Sequence, residues 1–164
     1  MSLVESLAHL AEPWAAVYDN SKLLMNAVMF SHVGGFLLAG GLALAADRSV
    51  FRATSADAAV RRVHVAELNA IHTPVLVGLA IAFASGFLLF LADVSTFATA
   101  PVFWIKMGFL AALLVNGATL RKAGHRLAAG EVTERSWQAL RRSAAASSLL
   151  WLVAVLTGVM LVNL

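Results

Sequence analysis

The stretch Leu23-Leu24-Met25-Asn26-Ala27-Val28-Met29-Phe30-Ser31-His32-Val33-Gly34-Gly35-Phe36-Leu37-Leu38-Ala39-Gly40-Gly41-Leu42-Ala43-Leu44-Ala45-Ala46 decides the fold. It contains no Asp, Glu, Lys or Arg, and it ends at the polar pair Asp47-Arg48. A helix of about 20 apolar residues crosses a hydrocarbon core about 30 Å thick. This run is long enough to do so. Three more runs of the same kind follow, at residues 71–91, 102–120 and 144–164.

The rest of the 164-residue chain agrees with that reading. Hydrophobic residues make up 60% of it and charged residues 13%, against roughly 45–50% apolar in an ordinary soluble domain. So much apolar surface needs lipid as its solvent. The expected architecture is all-α: an integral membrane four-helix bundle forming a single domain over residues 1–164. Residues 1–20 are expected to form an interfacial segment, either a short amphipathic helix, for which Leu3, Leu7, Leu10, Trp14 and Val17 have the spacing, or a partly ordered arm. Residues 1–10 lack the basic start and apolar core of a cleaved signal, so the first span is expected to act as the insertion signal.

The net charge of +3 resides in the connections, which removes nucleic acid from consideration. Arg48, Arg52, Arg61 and Arg62 follow the first span. Arg121, Lys122, Arg126, Arg135, Arg141 and Arg142 follow the third. The second connection has no basic residue, and only Lys22 precedes the first span. Basic residues concentrate in cytoplasmic connections. The pattern therefore predicts a multi-pass protein of the bacterial inner membrane with both termini in the periplasm. The polar, helix-compatible residues 56–70 predict that the second helix protrudes into the cytoplasm. Asp93 and Pro101 bracket the outer connection, with Pro101 suited to the first turn of the third helix. Trp14 and Trp104 are expected at the outer headgroups and Trp137 near the inner ones.

No cysteine is present, so disulfides, thiolate metal sites and cysteine nucleophiles are excluded. Polar groups within spans are costly and tend to face the bundle interior, so each is a candidate for function. His32 lies beside Gly34, Gly35, Ala39, Gly40 and Gly41. It reads either as an axial haem or metal ligand or as a group bonded across a close helix crossing. His72 precedes Pro74 in the second span. If the hairpin turns at Thr54-Ser55, residue 32 faces residue 77, and His72 is offset by about 7–8 Å. That offset is too large for a small shared metal ion without tilt, but tolerable for a haem or for one ligand on each of two stacked cofactors. His64 with Glu67, and His125, fall at the cytoplasmic edge, where histidine and carboxylate suit zinc or copper. Lys106 can reach outer headgroups or contact an anion such as a haem propionate or quinone. Asn116 is expected to bond to another helix. Asp47, Glu67 and Asp93 stand only at span edges, which gives little support to carboxylate-driven proton or sodium coupling.

Ser31-His32-Val33-Gly34-Gly35 through Ala46-Asp47-Arg48, Gly86 through Asp93, and Pro101-Val102-Phe103-Trp104-Ile105-Lys106-Met107 carry a resemblance. Over about residues 30–122 the chain resembles uncharacterised four-helix bacterial inner-membrane families patterned like the membrane part of copper-resistance protein D. The resemblance implies a four-helix fold and draws attention to His32 and Lys106. It implies no established reaction. The leading expectation is a membrane protein binding haem b or a metal through His32 and His72. Gly35, Lys106 and Asn116 would line the cofactor, and electrons would pass from quinol to a redox partner. The alternatives are a non-enzymatic accessory or assembly subunit, and a copper-handling permease component using Met25, Met29 and His32. Small-residue strips on the first and fourth helices make a homodimer plausible.

Overall fold

The structure, a computed structural model, describes residues 2–53, 58–128 and 134–163, with the side chains of 58–62, 64–69 and 125–128 outside that description. Among the described residues there are six helices and no strand. They are α1 (Leu3–Asp19), α2 (Lys22–Arg52), α3 (Ala58–Ala92), α4 (Val94–Thr99), α5 (Pro101–Ala128) and α6 (Glu134–Val162). Four of them, α2, α3, α5 and α6, contain segments long and apolar enough to cross a membrane. The chain has the make-up of a multi-pass membrane protein with an all-α bundle.

Local chemistry fixes the helix starts. Ser2 and Glu5 form a reciprocal capping box at α1, which satisfies amides that have no partner within the helix. Ser21 caps α2 through the Leu24 amide, and Asp93 caps α4 through the Thr96 amide. Pro101 opens α5, where its missing N–H costs nothing. The connection between α3 and α5 thus contains a short helix, α4.

The long helices pack in a ring: α2 against α3 and α6, and α5 against α3 and α6. The α2–α3 crossing is the tightest. A Cβ on Gly35 would lie 2.8 Å from both the Ala82 nitrogen and the Gly78 oxygen, and one on Gly78 would lie 2.8 Å from the Gly35 oxygen. Glycine at both positions lets the backbones touch. Outward faces carry large apolar side chains, with Phe30 79% exposed. That surface suits lipid.

All four long helices run past the apolar segments at the end where the basic residues cluster. There Val50, Ala53, Trp137, Leu140 and Ala144 form a core with Leu120 and Ala123. Protrusion is therefore not peculiar to the second helix. Trp137, expected at an interface, is fully buried in this core. Trp104 is exposed, and its indole donates to the Ala98 carbonyl.

The amphipathic helix expected at residues 1–20 is α1, which packs on α2, α3 and α4. Ala11 and Tyr18 are buried, while Leu3, Leu10 and Val17 are exposed in a stripe. Trp14 leaves that stripe: its indole donates to the Leu88 carbonyl of α3 at 2.9 Å. Tyr18 packs beside Trp14. Burial, and secondarily the Asp19 charge, hold its phenol above the ordinary value of 10.0. The neutral phenol is the form the fold prefers, so this contribution to α1 docking is fully present below pH 10. It is lost as pH rises through the folded value. Tyr18 is the only tyrosine in the chain. Tyrosinate absorbance should therefore titrate above the midpoint of free tyrosine; a midpoint at or below it would show that Tyr18 is not packed this way.

Candidate functional site

The spans contribute polar groups to two levels of the bundle. At the level nearer the chain termini, His32 of α2 meets α3. Its Nδ1 pairs with the Ala82 carbonyl at 2.8 Å and lies 3.5 Å from the Ser85 hydroxyl. The ring rests on Gly86, where a Cβ would come within 2.8 Å of Cε1. His32 thus joins helices across the small-residue crossing, one of its two sequence readings. Met25 and Met29 lie at exposed positions. Away from this level, toward the basic end of α5, Asn116 donates to the Ser143 carbonyl of α6 at 2.9 Å, the interhelical bond expected of it.

Beneath this level is an apolar layer. Phe36 meets Trp151 edge-on at 4.9 Å between centroids, and Ala39, Leu113 and Trp151 are buried together. Gly40 makes room for the indole, whose Cε3 lies 3.0 Å from the place of a Cβ.

On the basic side of that layer, a cavity of about 100 Å³ opens between α2, α3, α5 and α6. Asp47, His72, Arg121 and Ser147 supply its polar lining, and Trp151 bounds it. Asp47 is only 2% exposed. Its Oδ2 accepts from the Ser148 hydroxyl at 3.1 Å, and Ser147 lines the same cavity. Among the described residues no cation forms an ion pair with it; the ion pair found there joins His9 to Glu12. Asp47 follows directly on the apolar run, as the sequence indicated, but its carboxyl is turned into the bundle rather than toward solvent, which makes it a candidate for chemistry.

The same geometry corrects the pairing of His32 with His72. Residue 32 faces residue 82, not residue 77, so along α3 His72 lies about 15 Å from the His32 level. A metal bonded to two imidazoles at about 2 Å each brings their nitrogens to within about 4 Å. The two histidines do not frame one haem or one metal ion. The cavity beside His72 is also smaller than the roughly 300–1,000 Å³ typical of cofactor pockets. Gly35 and Asn116, expected to line a cofactor, are taken up by helix contacts. The side chains of His64 and His125 fall outside the described residues. Among the described residues no group of three or more His, Asp or Glu could hold a metal ion.

Sequence reasoning passed over Asp47, although a signal was available. Gly40, Ala43, Asp47 and Val50 recur at helical spacing, which places the carboxyl on the face that packs inward. Comparison with known proteins finds no match: no family model, no curated protein and no solved structure matches this chain.

Proposed function

We propose that this is a proton-exchanging protein of the bacterial inner membrane, with Asp47 as its proton site and His72 as the group that relays protons to it. The observation that carries the reading is a nearly inaccessible carboxyl that accepts from the Ser148 hydroxyl and, among the described residues, forms no ion pair. A carboxylate removed from water is stable only when a proton or cation balances it. Intramembrane carboxyls and histidines commonly serve as proton relays, and imidazole is the side chain best suited to exchange near neutral pH. The serine hydroxyls of α6 can donate to the ionised carboxyl and adjust when it is protonated. The clustering of Lys and Arg at the same end supports a cavity facing the cytoplasm, with termini in the periplasm. The apolar layer of Phe36 and Trp151 would then separate the site from the other side.

A second reading, an accessory subunit of a larger membrane complex, is favoured by Gly34 and Gly41. A Cβ at either would meet nothing within 4 Å, so the backbone there is open to a helix of another chain. The two readings part in one experiment. Purified protein in unbuffered detergent solution is given an acid pulse, and proton uptake is followed with a pH indicator. Wild type should take up about one proton per chain more than Asp47→Asn. His72→Phe should slow that uptake. Equal uptake by wild type and Asp47→Asn would overturn the proton site and leave the accessory reading.

A further inference from the structure

At the end of the bundle nearer the chain termini, Lys106 carries an ammonium from α5 across to α6. Its Nζ lies 3.4 Å from the place of a Cβ on Gly158, against a stretch of helix that has no side chain. Lys106 is half-buried, and among the described residues its ammonium has neither a hydrogen bond nor an ion pair. Asp93, an acid at the same end, is occupied in capping α4.

A partly buried ammonium without a counter-charge forfeits hydration that nothing replaces. A lysine near a span end ordinarily extends its head along the helix toward water or headgroups. Lys106 instead has its head seated on α6, against Gly158. We propose that Lys106 and Gly158 mark a binding site for one anionic oxygen group, either the phosphate of a lipid headgroup or a small soluble anion. Lys106 supplies the charge. Gly158 keeps the seat clear, since a larger side chain would occupy the ammonium's place. The site is separate from the Asp47 cavity, and its test does not depend on proton exchange.

The full chain is purified, stripped of lipid and examined in two arms. In one, phosphatidylglycerol is added and retained lipid is counted by native mass spectrometry. In the other, inorganic phosphate is added and its phosphorus NMR line is followed for broadening. Wild type, Lys106→Arg and Gly158→Ala should bind in at least one arm. Lys106→Gln and Gly158→Leu should bind about tenfold more weakly, the loss of one charge-assisted hydrogen bond. Binding in the lipid arm alone identifies a headgroup; binding in the phosphate arm alone identifies a soluble anion. Should Lys106→Gln fail to assemble, Gly158→Leu carries the test, because it keeps the charge and removes only the seat. Equal binding by wild type and both disruptive variants, or no binding by wild type in either arm, would overturn the proposal.

Discussion

Gly35→Val destabilises the bundle by about 3 kcal/mol, the upper end of what overpacking usually costs. The side chain would have nowhere to go. Its Cβ alone would lie 2.8 Å from the backbone nitrogen of Ala82 and the backbone oxygen of Gly78. Neither atom belongs to a flexible side chain that could swing aside, so α2 and α3 must part. Parting them also breaks the bond between His32 and the Ala82 carbonyl, which takes from the imidazole its partner on α3. Gly34→Val is the matched control. The neighbouring position meets nothing within 4 Å, so the same substitution should change stability by no more than about 0.5 kcal/mol. Unfolding of the two variants in mixed micelles, followed by circular dichroism, checks both values. Equal losses at the two positions would show that the crossing does not lie at Gly35.

The four spans were legible because uninterrupted apolar runs of that length have one stable use. Pro101 marked the start of α5, and Asn116 was correctly expected to bond across helices, because a lone amide in a span has few other partners. The ends of the spans were less legible. Arg141 and Arg142 interrupt the apolar pattern of α6, yet the helix continues back to Glu134 and buries Trp137 and Leu140. The spacing of Trp137, Leu140 and Ala144 was the readable trace of that core. The register between α2 and α3 was not legible. A turn assumed at Thr54-Ser55 placed residue 77 opposite His32, whereas the Gly35–Gly78 contact places residue 82 there. Backbone contact between glycines settles that choice, and it follows from packing rather than from counting residues. The register then decides chemistry: it separates His32 from His72 and leaves His72 lining the same cavity as Asp47.

The carboxyl of Asp47 should give a protonated C=O stretch in infrared difference spectra, and Asp47→Asn should abolish that band completely. Asparagine has nearly the same shape and can still accept from the Ser148 hydroxyl, so the cavity stays intact while the exchangeable proton is lost. Other carboxyls, such as Glu5 and Asp19, are exposed and serve as an internal reference with solvent-like bands. The measurement is made on protein in lipid vesicles, stepped from alkaline to acidic buffer in light and heavy water. The account predicts a band outside the solvent-like set that rises on acidification, shifts on deuteration, moves when Ser148 is replaced by alanine, and is missing in Asp47→Asn. A spectrum identical in wild type and Asp47→Asn across the same pH steps would contradict it, showing that the buried carboxyl exchanges no proton.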